Sequence, residues 1–141
     1  MSRADLVREW LEYAFADLRT AKHLFETLHP RPLEIVCYHC QQTAEKALKG
    51  FLINQDFEPP RTHDLEMLYQ LCAKLDQSFE TIRLACQSLT NYATSTRYPS
   101  NVEIEESNAT LALKQAESIY NLCSNLVIKC QTNEQEQTIE S

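Results

Sequence analysis

Residues 37–51 read Cys-Tyr-His-Cys-Gln-Gln-Thr-Ala-Glu-Lys-Ala-Leu-Lys-Gly-Phe. The apolar residues of this segment recur at steps of three and four, which is the period of one face of an α-helix. They are Cys37, Cys40, Ala44, Leu48 and Phe51. Polar residues occupy most positions between them, so the segment predicts an amphipathic helix that continues to about Gln55.

The same period recurs on both sides of this segment. A first helix carries apolar residues from Leu11 to Leu28 and ends at a Pro-Arg-Pro sequence. After Pro59-Pro60, a short helix over residues 65–75 and a fourth helix from about Ser78 to Tyr92 are predicted. No segment alternates apolar and polar residues as a strand does. We therefore expect an all-α, up-and-down bundle of four long helices and one short helix.

The fifth predicted helix has two apolar stripes. One stripe comprises Ala109, Leu113, Ala116, Tyr120, Cys123, Val127 and Cys130. The adjoining stripe comprises Ala112, Ile119, Leu122 and Leu126. Two apolar faces on one helix indicate either deep burial in the bundle or a second partner surface, such as a homodimer contact.

Length and composition restrict the class of protein. A chain of 141 residues suits one domain, and we expect residues 1–130 to form the bundle and the polar, acidic residues 131–141 to form a disordered tail. No apolar run reaches the roughly eighteen positions of a membrane span, and residues 1–25 lack the pattern of a signal peptide. A cytosolic protein without membrane contact is therefore expected.

Charge and glycine content exclude several kinds of binding site. The net charge of -7 argues against an extensive DNA- or RNA-binding surface, because such surfaces are usually basic. The chain contains a single glycine, Gly50, whereas the phosphate loop of P-loop NTPases and the Rossmann fingerprint each require several. Any bound nucleotide must therefore be held by side chains.

The six cysteines are predicted to be reduced. Cys37-x-x-Cys40, with His39 between them, has the spacing of half a zinc or redox site. Both cysteines lie on the apolar stripe, however, and no second pair of ligands follows at the spacing of a zinc finger. Burial as small apolar side chains explains them better, and we predict no metal and no cofactor.

Four motifs, taken together, carry a family resemblance. They are Gln41-Gln42, Ala44-Glu45-Lys46-Ala47-Leu48-Lys49, Thr62-His63-Asp64-Leu65 and Arg97-Tyr98-Pro99. In this order and at these separations, over about residues 5–130, they resemble the bacterial and archaeal stand-alone proteins of the HEPN family. The resemblance implies a helical bundle that pairs as a homodimer, binds nucleotide or RNA, and acts with a minimal nucleotidyltransferase partner, in some cases as a toxin–antitoxin pair.

The RNase motif of the family is missing. Many HEPN proteins cleave RNA with an arginine and a later histidine that are separated by four to six intervening residues. Here Arg97 is followed by Tyr98-Pro99-Ser100-Asn101-Val102-Glu103-Ile104, and no histidine follows any arginine at that interval. The sequence therefore favours a binding module over an enzyme. Two alternatives stay open: an RNase toxin that uses His63 instead, and a dimeric adaptor without a nucleotide ligand.

Arg97 and Tyr98 are candidate ligand-binding residues. The guanidinium of Arg97 can grip a phosphate with two hydrogen bonds, and the Tyr98 ring can stack on a base. The alternative is that Arg97 caps helix carbonyls or pairs with Glu103 or Glu105.

His63 and Asp64 are candidates because they follow a rigid Pro-Pro and begin a helix, where free N–H groups attract anions. His63 can accept a proton near a phosphate while a carboxylate orients its ring. The alternative is that Asp64 caps the helix and His63 bonds a neighbouring helix end.

Gln42, Lys46 and Lys49 share one polar face of the second helix. The lysines can add positive charge to a ligand groove, and Gln42 can bind a base edge. Glu45 and Lys49 also have the spacing of an ordinary surface ion pair, which explains the same face without a ligand.

Overall fold

The protein is a bundle of α-helices, in agreement with the sequence prediction. The computed structural model describes residues 1–93 and 103–140, and this part of the chain contains helices and connections but no strand. The helices are α1 (Arg3–Thr27), α2 (Leu33–Asn54), α3 (Leu65–Leu75), α4 (Arg83–Leu89) and α5 (Glu106–Glu140). None of these helices is both long enough and apolar enough to cross a membrane.

Helix α2 lies at the centre of the bundle. It packs most extensively against α1 and α5, and it also contacts α3 and α4. All the apolar residues that predicted this helix are buried: Cys37, Cys40, Ala44, Leu48 and Phe51. The ring of Phe51 packs against that of Phe79, with 4.6 Å between their centroids.

The predicted fourth helix is divided into three parts. Helix α4 is preceded by a 3₁₀ segment over Gln77–Ile82 and followed by another over Thr90–Tyr92. In a 3₁₀ helix residues three apart lie on the same side, and this geometry buries both Phe79 and Ile82. The change of helix type therefore keeps the apolar side chains of this region in the core.

Both apolar stripes of helix α5 contribute to the core over part of its length. Ala112 and Ile119, from the second stripe, are buried in the same core as Ala116 and Cys123 from the first. The second stripe thus contributes to the bundle interior, while Leu122 is only partly buried.

The last residues of the described chain continue α5. The sequence predicts a disordered tail from residue 131, but the helix extends to Glu140. Residues 131–137 are exposed and rich in Gln and Glu, which favour helix even without packing. The boundary between bundle and tail at residue 130 stays a prediction.

Five of the six cysteines are buried, as the sequence predicts, and Cys130 is half-buried. Burial raises the pKa of Cys37 to about 11 and that of Cys86 to about 12. Burial also raises the pKa of Cys40, Cys72 and Cys123. These thiols are therefore protonated side chains of the core. In the described residues, no group of three His, Cys, Asp or Glu side chains is arranged to hold a metal ion.

The single glycine lies where α1 and α2 approach each other. A Cβ atom at Gly50 would lie 3.3 Å from Cβ of Trp10 and 3.3 Å from Cδ2 of Leu11. This is tighter than most Cβ contacts in proteins, so a side chain here would require Trp10 and Leu11 to move by a few tenths of an ångström. The glycine thus permits the close approach of the two helices here.

Candidate functional site

Asp64 caps helix α3. Its carboxylate accepts hydrogen bonds from the backbone N–H groups of Glu66, at 3.0 Å, and Met67, at 3.4 Å. The hydroxyl of Thr62 in turn accepts a bond of 3.1 Å from the N–H of Asp64. The capping role that the sequence predicts is confirmed, and this carboxylate does not orient the ring of His63.

The ring of His63 is oriented by Glu45 instead. Nδ1 of His63 lies 2.7 Å from Oε1 of Glu45. The backbone oxygen of His63 accepts a hydrogen bond of 3.0 Å from the amide of Gln41, so helix α2 holds both the ring and the backbone. The histidine side chain is 70% exposed, whereas that of Glu45 is 6% exposed.

The other ring nitrogen, Nε2, is available for a ligand. Within the described part of the chain no group bonds Nε2 of His63. When Nδ1 carries the proton and donates it to Glu45, Nε2 is a proton acceptor, and in the protonated ring it is a donor. Such a ring can accept a proton from a ligand hydroxyl or donate a hydrogen bond to a phosphate oxygen.

Lys49 binds the second oxygen of the same carboxylate. Its Nζ lies 3.2 Å from Oε2 of Glu45, and the Lys49 side chain is 10% exposed. The pair therefore forms at the predicted spacing, but the interpretation as a solvated surface pair is wrong, because both partners are buried. Gln42 is also engaged internally, since its amide donates a hydrogen bond of 2.7 Å to Gln41.

A second network of the same kind lies on the α1 side of α2. Asp17 of α1 accepts a hydrogen bond from Nζ of Lys46 at 2.5 Å and lies 2.9 Å from Nδ1 of His39. Burial alone raises the pKa of Asp17, but the hydrogen bonds from His39 and Lys46 outweigh burial and hold the pKa below its ordinary value. The charge of Lys46 is therefore balanced within the protein.

A surface groove of about 790 Å³ adjoins the Glu45 network. Trp10, Lys49, Phe57 and Arg61 are among its lining residues. Arg61 is exposed, and its side chain makes no hydrogen bond or ion pair with the described residues. Lys49 lines the groove and shares the Glu45 carboxylate with His63, which lies two residues after Arg61 in the sequence.

Arg97 and Tyr98 lie outside the described residues. Within the described residues, the hydroxyl of Thr90 accepts a hydrogen bond of 3.0 Å from the N–H of Leu65. Thr90 therefore lies beside the start of α3, which is close in sequence to His63 and Asp64.

Sequence reasoning identified His63 but missed the acidic residues that hold the cluster together. Glu45 and Asp17 were not candidates, because carboxylates on helices are usually solvated. A signal was present in the case of Glu45: it lies beside Ala44 and three positions before Leu48, at the edge of the apolar stripe. A charged residue at such a position requires a buried partner.

Comparison with known proteins gives one family. A family model of the HEPN domain matches residues 7–126. The crystal structure of TT1696 from Thermus thermophilus is similar, with a TM-score of 0.71 and 27% identity over 89% of this chain and 98% of that one. The crystal structure of ST0689, an archaeal HEPN homologue, has a TM-score of 0.69 and 27% identity over 90% and 99%. No curated protein matches the chain.

Proposed function

Because the chain belongs to the HEPN family, we propose that it is a homodimeric, cytoplasmic nucleotide- or RNA-binding module that acts with a minimal nucleotidyltransferase, in a toxin–antitoxin pair. The observation that carries the ligand-binding part is the arrangement of His63. A buried carboxylate holds its Nδ1, while Nε2 makes no bond to any of the described residues and the side chain is largely exposed. A ring held in this way can present its second nitrogen to a ligand.

The charges around His63 favour a phosphate. Arg61, two residues before His63, is a cation without a partner among the described residues. Pro59-Pro60 stiffens the chain in front of both. A guanidinium and an imidazole on one stiff segment can bind the oxygens of one phosphate at a small cost in entropy.

The remaining candidate residues either support the surface or contact the ligand directly. Lys46 and Lys49 are paired with Asp17 and Glu45, so they support the surface rather than provide free positive charge. Arg97 and Tyr98 are proposed as the direct contacts that the resemblance implies, with the guanidinium on a phosphate and the ring on a base. Gln42 stays a candidate for a base edge.

Ligand binding is tested with 5′-phosphorylated single-stranded RNA and with nucleoside monophosphates, using calorimetry on the purified protein. We expect His63→Ala, Arg61→Ala and Arg97→Ala each to weaken binding about tenfold, which corresponds to the loss of one charge-assisted hydrogen bond. His23→Ala, which changes an exposed histidine on α1, is the matched control. Unchanged binding in the first three variants would refute the assignment of the site.

The partner is tested by co-purification of the tagged protein from its native cell. A nucleotidyltransferase in the eluate is the expected result. An eluate with only the homodimer, free of nucleotide and RNA, would instead support the dimeric adaptor.

A second candidate function is an RNase toxin, and the contact between His63 and Glu45 favours it. A histidine oriented by a carboxylate is the arrangement of a general base. Such an enzyme should arrest growth when it is expressed alone and should leave cleaved RNA. Equal toxicity of His63→Ala and wild type would exclude this mechanism.

A further inference from the structure

The groove beside the Glu45 network has walls of two kinds. Leu6, Trp10, Ile53 and Phe57 provide apolar and aromatic surface. Lys49 and Arg61 provide positive charge, and His63, two residues after Arg61, binds the oxygen of Glu45 opposite the one that Lys49 binds. A ligand that uses both kinds of side chain must combine a flat apolar group with an anion.

The charges of the groove indicate which residues can bind an anion. Of the two carboxylates that line the groove, Asp56 pairs with Arg3 at 3.7 Å. Glu58 is exposed and has no partner among the described residues. Arg61 is likewise without a partner. We therefore expect an anion at Arg61 and the neighbouring His63, and the Glu58 carboxylate can accept a hydrogen bond from an amino group such as that of adenine, guanine or cytosine.

The size of the groove fits one nucleotide. A volume of about 790 Å³ lies within the range of small-molecule sites, roughly 300 to 1,000 Å³. A base that is paired and stacked within a duplex cannot enter such a groove, whereas an unpaired base can lie against aromatic side chains.

From this arrangement, and resting on the proposed function, we propose that the groove lined by Trp10 and Phe57 binds a single unpaired base whose phosphate lies at Arg61 and His63. The ligand is thus a mononucleotide or the end of a single RNA strand, and duplex RNA is excluded from the site.

The test separates the base from the phosphate. AMP, GMP, CMP and UMP are titrated into the full chain by calorimetry, with ribose 5-phosphate as the probe that lacks a base. The chain has one tryptophan, and since Trp10 lines the groove, its fluorescence reports entry of a base directly. We expect at least one monophosphate to bind about tenfold more tightly than ribose 5-phosphate, as stacking of one base provides, and to change the emission of Trp10.

Two variants distinguish the groove from the phosphate site. Phe57→Ala should remove the tenfold advantage of the monophosphate and leave the affinity for ribose 5-phosphate unchanged. His63→Ala should weaken both probes alike. Phe15→Ala is the matched control, since Phe15 is 44% exposed and Phe57 is 39% exposed, and Phe15 lies in a different groove, between α1 and α5.

Each remaining outcome has a definite meaning. If Phe57→Ala binds every monophosphate as tightly as wild type while His63→Ala does not, the groove is not the base site, and the proposed function stands. If wild type binds neither a monophosphate nor ribose 5-phosphate, the base site is overturned, and if it also fails to bind 5′-phosphorylated single-stranded RNA, the ligand-binding part of the proposed function is overturned with it.

Discussion

Oε1 of Glu45 lies 2.7 Å from Nδ1 of His63, so a side chain inside the bundle holds a side chain on its surface. The two residues are eighteen positions apart in the sequence, and they join helix α2 to the segment before α3. Any change to Glu45 is therefore expected to affect both the stability of the bundle and the orientation of the histidine.

Removing the Glu45 carboxylate should destabilise the protein strongly. Glu45→Ala leaves the buried ammonium of Lys49 without its partner, and breaking a buried ion pair in this way costs about 3 kcal/mol. The control is Glu12→Ala, because Arg8 and Glu12 form an i,i+4 pair that is exposed on both sides and contributes at most about 0.5 kcal/mol. Urea denaturation of the three proteins measures both values, and equal losses would show that the Glu45 pair contributes no more than a surface pair.

The Asp17 network predicts a dependence of stability on pH. The folded-state pKa of Asp17 lies below the ordinary value of 3.8, so its contribution is complete above about pH 4 and is lost as pH falls through the lower, folded-state value. The stability difference between wild type and Asp17→Asn should therefore be constant above about pH 4 and shrink below it. Urea denaturation between about pH 2.5 and about pH 7, which extends well below and above the ordinary pKa of an aspartate, measures the difference.

Asp56→Asn is the control for Asp17→Asn, since the Asp56 side chain is 86% exposed. A difference for Asp17→Asn that persists unchanged to the lowest pH would contradict the pKa assignment.

Asp64 should act as a helix cap and not as a ligand. Asp64→Ala removes the acceptor for two N–H groups of α3 and is expected to cost about 1 kcal/mol of stability. Asp64→Ser restores a capping oxygen without the charge, so it should recover most of that stability and bind the phosphate probes as wild type does. Weak binding by a well-folded Asp64→Ser would assign Asp64 to the ligand site instead.

The thiols should react in two classes. Burial raises the pKa of five cysteines, and the thiolate is the reactive form. Ellman's reagent should therefore modify Cys130 first in the native protein and all six thiols after denaturation. Cys130→Ser should abolish the fast phase, and a fast phase that survives this change would show that a second thiol is accessible.

The fold was predictable because the determining pattern is local. Cys37, Cys40 and Leu48 lie at helical intervals within one segment, and a helix needs no distant partner to define its apolar face. The division of the fourth helix was not predictable in this way, because the same three-residue spacing of Phe79 and Ile82 fits both an α-helix and a 3₁₀ helix.

The sequence predicted the exposed residue of the site, His63, but not the buried carboxylates that hold the site together. His63 stands out beside Pro59-Pro60, but the burial of Glu45 depends on partners from two different segments. Similarly, Asp17 is joined to Lys46 across 29 positions. Such contacts are set by how the helices pack, and no periodicity within one helix encodes them.

The close packing at Gly50 links the interior to the ligand surface. A methyl group at this position would press against Cβ of Trp10 at 3.3 Å, and the indole on that carbon lines the groove. A substitution there would displace Trp10 and so change the shape of the proposed base site, which is lined by residues of both α1 and α2. The residue sizes that the packing of α1 on α2 accepts at position 50 therefore also limit the shape of the proposed base site.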